Sequence, residues 1–285
     1  MTDTTLKRRS PWLDVWHRLC KNRLATVCLF LFLFFLVVIL LAPVIAPYDY
    51  TAQDPNAILL FPSREHWFGT DNFGRDIFSR VLIGGKYTLA IGFGCMGFSL
   101  LFALVLGCTA AMVKKADNII MRIMDIMMSI PSFMLGLSLV TALGASLKNL
   151  IIAIGICSIA PYTRVVRAAV MTVKDQEYVE AARCVGASTW HILFRYILPN
   201  CLSPIIVQFT SGMVSAILTA ASLSFLGQGV PAPEPEWGSM ISAGRRYLLN
   251  QWYISILPGL AVIGVTLTLS IFSDGLRDAL DPRLK

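Results

Sequence analysis

Long stretches free of Asp, Glu, Lys and Arg dominate this sequence, and each must lie where water does not reach it. The hydrocarbon core of a bilayer is ~30 Å thick and a helix needs ~20 mostly apolar residues to cross it. Residues 24–46, 87–113, 126–147 and 248–272 each meet that length without a charge. Residues 149–163 are short alone, but 168–173 extend them past Arg164 and Arg167, whose stems can snorkel to the interface. Residues 196–233 are also uncharged and too long for one helix. Pro199 and Pro204 mark its beginning and Gly227, Gly229 and Pro231 its end, leaving 201–225. The reading is an all-α polytopic membrane protein with six transmembrane helices. Composition agrees, since 56% hydrophobic and 14% charged residues lie outside the balance of a soluble domain.

Counting basic residues loop by loop sets the orientation. With the N-terminus inside, segments 1–23, 114–122, 164–195 and 274–285 hold 6, 3, 5 and 3 of them, against 4, 1 and 2 in 47–86, at Lys148 and in 226–253. Both termini are therefore expected in the cytoplasm. The first apolar run is too long for a signal peptide and no small-x-small site follows it, so it reads as a retained anchor. The expected divisions are a cytoplasmic segment 1–23, a first span 24–46, an extracytoplasmic loop 47–86 with an amphipathic helix, a five-helix core 87–275, and a cytoplasmic tail 276–285. The core contains a cytoplasmic loop 174–199 and an outer loop 226–253.

The net charge of +7 is thus a signal of topology, and no nucleic-acid partner is expected. Cys28, Cys95, Cys108, Cys157 and Cys201 fall in spans and Cys20 and Cys184 on the inner side, so neither outer loop has a thiol to oxidise. Several motifs imitate chemistry. Gly92, Gly94 and Gly97 spell G-x-G-x-x-G, but a dinucleotide fingerprint needs a preceding strand and an accessible helix N-terminus. Inside an uncharged helix these glycines, with Ala103, Gly107 and Ala111, suit close helix packing. Gly85-Lys86 resembles the end of a phosphate loop, yet Arg80 and Tyr87 occupy positions that would require Gly and Ser or Thr. No catalytic residue, cofactor site or metal site is expected. Met121, Met124, Met127, Met128 and Met134 suit adaptable packing around a moving part, in preference to soft thioethers guiding a transition metal.

The longest inner loop is built for more than connection. Asp175 can cap a helix with Glu177 in its first turn, Gly186 suits the left-handed residue that ends it, and Ser188 can cap a second helix delimited by Pro199. The result is a helix, a sharp turn and a helix facing the cytosol, with small residues that admit another surface. The spacing Glu180-Ala181-Ala182, Gly186, Tyr196-Ile197-Leu198-Pro199 resembles the EAA loop of bacterial ATP-binding cassette importer permeases. Tyr196 replaces the usual Ile there. His66 to Arg80, containing Gly69-Thr70-Asp71, Gly74-Arg75-Asp76, is similar to the Gly-Thr-Asp-x-x-Gly-Arg-Asp signature of the dipeptide, oligopeptide and nickel permeases. Leu223 to Val230 and Pro235-Glu236-Trp237-Gly238 resemble that family's outer loop after span five. The likeness runs from about Leu13 to Leu284, and is to the second of the two permeases of such systems.

The resemblance implies a bacterial inner-membrane location and a loop, through Glu180, Ala181, Ala182, Gly186, Leu198 and Pro199, that docks in a cleft of an ATPase. It also implies a second homologous permease, two ATPase subunits that bind ATP and Mg, and an extracytoplasmic binding protein that delivers solute. The solute implied is peptide-like, with nickel or a metal chelate and glutathione as alternatives. From the residues alone, Asp76 and Arg80 are four apart and can pair, while Ile77, Val81 and Leu82 share a face. That suits a short amphipathic helix on the outer membrane surface, either an interfacial anchor or part of a binding-protein seat or pore gate. In span five, Gln208, Ser211, Ser215, Thr219 and Ser222 form one stripe. It lines a polar pathway, or consists of hydroxyls bonded to their own backbone. A self-sufficient channel or ion-driven transporter usually carries an ionisable residue deep in a span. Here Arg122, Asp125, Arg164 and Arg167 all lie near inner ends.

Overall fold

A computed structural model describes residues 11–280. Lys7, Arg8, Arg9, Arg283 and Lys285, which enter the orientation argument, lie outside the described residues. Among the described residues the chain is helical, with one isolated bridge between Thr70 and Asp76. Helix α1 (Pro11–Lys21) leads to α2 (Arg23–Leu40), whose N-cap Asn22 accepts from the Ala25 amide at 3.2 Å. After the short α3 (Ala42–Ile45) a loop, expected on the outer side, runs to α4 (Ile77–Met112). Helices α5 (Lys114–Ser129), α6 (Ser132–Leu143), α7 (Leu147–Lys174), α8 (Glu177–Cys184) and α9 (Thr189–Ile192) follow. The chain then passes through a π segment, Leu193–Ile197, and a 3₁₀ turn, Leu198–Cys201, into α10 (Leu202–Phe225). Helix α11 (Trp237–Gly244), a 3₁₀ turn Arg245–Tyr247 and α12 (Tyr253–Leu280) complete it.

Five helical stretches are long and apolar enough to cross a bilayer, and α5 with α6 makes a sixth only as a broken pair bent by 88°. The expected third span, 126–147, is therefore not one straight helix. Pro131 forces the break: it cannot donate, and it drives Ile130 to an extended conformation with φ −95° and ψ 129°. The second span is longer than its uncharged run. Asp76 caps α4 at Ile77, so three further turns precede residue 87.

Small residues set the helix spacing, as expected where lipid supplies no hydrophobic drive for helices to associate. Helices α4 and α7 form the most extensive pair. A Cβ on Gly107 would meet Val166 at 2.8 Å and the Thr163 carbonyl at 3.0 Å, and one on Gly92 would meet Ile217 of α10 at 3.2 Å. Ser99 donates to the Gly155 carbonyl across the α4–α7 contact at 2.8 Å. Gly97 has nothing within 4 Å of a would-be Cβ, so the third glycine of that motif does no packing within this chain.

Helices α5 and α7 are joined by charge. Arg167 grips Asp117 through two bonds of 2.5 and 2.6 Å, and Arg164 pairs with Asp125. These arginines bind α7 to α5 instead of snorkelling toward lipid. Lys174 donates to the Ala111 carbonyl at 3.0 Å, fixing the end of α7 to the end of α4.

Candidate functional site

Three regions were singled out by sequence, and the structure gives each a definite setting. In the inner loop, Gln176 rather than Asp175 precedes α8; Asp175 instead ends α7. Gly186 has φ +84°, a conformation that costs glycine little, and Ser188 caps α9 by accepting from the His191 amide at 3.3 Å. Glu180 and Ala181 are exposed, and Ala182 packs partly on the core below, where Val179 is fully buried. Three large apolar side chains point away from the chain: Val185 is 87% exposed, Trp190 71% and Phe194 61%. Trp190 stacks on Phe194 with ring centroids 6.0 Å apart. Pro199 does not delimit the second helix. It sits in the 3₁₀ turn that follows the π segment, so the helix changes type there but helical structure runs on from Thr189 to Phe225.

Above this loop a cavity of about 280 Å³ lies between α6, α7 and α10. Gln208, Ser215 and Thr219 line it, facing Ser132 and Gly136 of α6 and Cys157, Ser158 and Tyr162 of α7. Ser211 and Ser222 do not. Their hydroxyls donate to the carbonyls of Val207 and Leu218 at 3.0 and 2.8 Å. Tyr162 was not singled out by sequence. Its signal is the close approach of Gly212, where a Cβ would overlap the phenol oxygen.

The outer signature forms a buried clasp rather than a surface helix. Asp71 accepts from the Phe73 amide at 2.8 Å, from the Arg75 amide at 3.0 Å and from Arg75 Nε at 2.7 Å, and lies 3.8 Å from Arg80 Nε. Asp76 accepts from the Ser79 amide and hydroxyl at 2.8 and 2.7 Å and faces His66 Nδ1 at 2.9 Å. The expected pairing of Asp76 with Arg80 is absent, because both side chains already have partners: Arg80 donates to the Tyr50 carbonyl at 2.8 Å. Thr70 donates to the Ala57 carbonyl and accepts from Leu60 N at 2.8 Å. Gly69 and Gly74 hold φ of +75° and +71°, and at Gly74 a Cβ would collide with the Asp54 carbonyl. These residues tie the loop 48–76 to the first turn of α4.

The outer loop after α10 is docked on the same helix end. Glu236, 1% exposed, caps α11 by accepting from Gly238 N and Ser239 N at 2.7 and 2.8 Å and from the Ser224 hydroxyl at 2.9 Å. Burial pushes its carboxyl above the usual range, against those three donors.

A helical bundle with long apolar helices, a polar cavity among them and an elaborated loop between α7 and α10 defines a multi-pass membrane transport component. Residues 100–285 match the family described as "Binding-protein-dependent transport system inner membrane component", and residues 10–62 match the "N-terminal TM domain of oligopeptide transport permease C". The chain belongs to this family of inner-membrane permeases. It is 42% identical over 277 residues to the dipeptide transport system permease protein DppC of Alkalihalophilus pseudofirmus, covering 97% of this chain and 91% of that one. It is 38% identical to the glutathione transport system permease protein GsiD of Pectobacterium atrosepticum, covering 97% and 93%. In fold it resembles a chain of the inward-facing MetNI methionine ABC transporter, with TM-score 0.58 and 20% identity over 72% of this chain and 98% of that one. Family membership disfavours a self-sufficient channel or ion-driven transporter.

Proposed function

We propose that this chain is one of two homologous permease subunits around a pathway for a peptide-like solute, delivered by an extracytoplasmic binding protein and driven by two ATPase subunits that hold ATP and Mg. The observation that carries the reading is the inner turn at Gly186. Val185, Trp190 and Phe194 are too apolar and too exposed for a finished cytosolic surface, and protein interfaces concentrate such aromatic anchors. Glu180, Ala181 and Ala182 are the small and acidic part of that docking face.

The mechanical route follows from connectivity. The loop joins α7 to the helical stretch Thr189–Phe225 that becomes α10, with Leu198 and Pro199 in its 3₁₀ turn. Both helices line the 280 Å³ cavity. A displacement of the loop on ATPase closure therefore moves two walls of the pathway together, which is the requirement for two sites to bias one equilibrium. Gln208, Ser215 and Thr219 are the proposed lining from α10. The peptide assignment is supported by relatives named for dipeptide transport, and the glutathione relative keeps a peptide derivative as the second candidate.

The test is assembly together with orientation. With Cys20 and Cys184 replaced by alanine, cysteines placed at Asn56 and Asn250 are expected to react with an impermeant maleimide from outside, and those at Lys115 and Thr189 are not. The ATPases are expected to co-purify through the inner loop. Outside labelling at Thr189 would overturn both the orientation and the docking.

A further inference from the structure

Two cavities adjoin at the outer end of the chain, one of about 420 Å³ and one of about 220 Å³, sharing Asn72, Phe73, Val230, Ser239 and Ala243 in their walls. Their combined size suits a small ligand. The charges around them are unevenly settled. Asp71 is matched by Arg75 at 2.7 Å and by Arg80 at 3.8 Å. Arg245 and Arg246 line the larger cavity and Glu234 the smaller, and among the described residues none of these three forms an ion pair. Arg245 is held over the Phe225 ring, 5.0 Å from its centroid, so its guanidinium is oriented without being neutralised. Ser242 and Tyr247 add hydroxyls to the same wall. Asp71, Arg75 and Arg80 also line the smaller cavity but are engaged with one another, so the charges without an ion-pair partner are two cations at the larger end and one carboxylate at the smaller, the pattern of a short peptide zwitterion.

We propose that these joined cavities are a dwell site for a peptide zwitterion entering from the binding protein, with its carboxylate at Arg245 and Arg246 and its ammonium at Glu234. Planar guanidinium groups suit a terminal carboxylate, because they offer paired donors in fixed geometry. The site is open to water, so it holds solute weakly, as a stop on a route must. Its value is orientation and local concentration. This inference rests on the peptide reading above.

The test uses the whole transporter in liposomes, with partner permease, ATPases and saturating binding protein, and radiolabelled di-, tri- and tetra-alanine as probes. R245Q/R246Q is expected to lower uptake about tenfold, the loss of roughly one charge-assisted interaction, with the affinity of the binding protein for the transporter unchanged. Glu234→Gln is expected to act in the same direction. Exchanging the charges, as R245E/R246E with E234R, is expected to recover much of the uptake, because the peptide can then lie reversed. Wild-type uptake that persists undiminished in R245Q/R246Q would overturn the site alone. A loss fully explained by weakened binding-protein affinity would also overturn it, and would assign the arginines to acidic groups on that protein. No uptake of any alanine peptide by the wild type would overturn the peptide reading, and the site with it.

Discussion

The indole of Trp237 donates to the Val81 carbonyl at 2.8 Å, joining the segment after α10 to the second turn of a helix more than a hundred residues earlier. The ring fits because Gly84 and Gly85 present no side chains beneath it: a Cβ on either would meet the indole, at 2.9 and 3.0 Å, and on Gly84 would also overlap the Pro235 carbonyl. Gly85, which in the sequence resembles the end of a phosphate loop, is thus half of a seat for a tryptophan.

Two glycines of one helix should therefore respond oppositely to the same methyl group. Gly84→Ala forces backbone apart at Pro235 and is expected to cost about 1–3 kcal/mol, the range for overpacking. Gly97→Ala meets open space and is expected to be neutral or to stabilise by up to about 1 kcal/mol, because it removes glycine's freedom in the unfolded chain. Thermal unfolding midpoints of the two purified variants in one detergent check this, and similar shifts would contradict it.

The Asp71 carboxylate holds Arg75 and two backbone amides with little solvent to replace them. Asp71→Ala strands two buried guanidinium groups and is expected to cost about 3–5 kcal/mol, as for a broken buried pair. Asp71→Asn keeps an oxygen for the amides and should lie between the two. Limited proteolysis of the loop 48–76 reads the difference. Normal protection in Asp71→Ala would return this signature to a surface role.

What the sequence displayed, and what it hid, divides along a physical line. The spans were visible because a bilayer imposes a length on apolar runs, and that pattern needs no partner to be read. The first turns of α4 were hidden because Asp76, Ser79 and Arg80 look like a solvated surface. Their burial depends on Tyr50, His66 and Pro233, which are distant in sequence. Pro131 did announce the break between α5 and α6, but an apolar run on both sides masked it. Pro199 announced an end to the helix, and what occurs there is a local change of helix type, from a π segment through a 3₁₀ turn into α10, with helical structure continuing. The stripe on α10 divided for the same kind of reason: hydroxyl spacing is written in the sequence, whereas which of them faces α6 and α7 depends on the packing of three helices.

Glu236 provides a pH dependence whose sign can be worked out. Burial raises its folded-state pKa above the ordinary value of 4.5, so the fold prefers the protonated group. The stability this contributes is fully present below about the unfolded value and is lost as pH rises through the raised one. Glu236→Gln is expected to remove that dependence. Comparing the midpoints of wild type and Glu236→Gln across mildly acidic to neutral pH tests it, and parallel curves would count against the assignment.

Asp117 with Arg167 and Asp125 with Arg164 join the same two helices from different degrees of cover. The first pair is 22% and 26% exposed and doubly bonded, the second 57% and 43%. Double-mutant cycles to alanine are expected to give about 1 kcal/mol for Asp117–Arg167 and a few tenths for Asp125–Arg164, following the screening of exposed pairs. The order is the decisive result, and a larger coupling for the exposed pair would refute it.

The inner turn separates folding from docking more cleanly than its sequence suggests. Gly186 has φ +84°, yet a Cβ there would meet nothing within 4 Å. Bulk alone therefore meets no obstacle inside this chain, and the intramolecular penalty is the backbone conformation. Asn tolerates that conformation better than other residues with a Cβ, so Gly186→Asn is expected to preserve both the turn and transport. Gly186→Trp adds the same kind of strain plus a large side chain on the exposed face, and Trp190→Ala removes an anchor while leaving the turn alone. Both are expected to reach the membrane at normal abundance and to lose at least tenfold in uptake, the scale of removing one interface hot spot. They should also lose either co-purifying ATPases or the stimulation of ATP hydrolysis by loaded binding protein. Near-normal uptake in Trp190→Ala would mean that the exposed aromatic pair is not an anchor. Equal loss in Gly186→Asn and Gly186→Trp would place the defect in the backbone of the turn rather than in a partner's cleft.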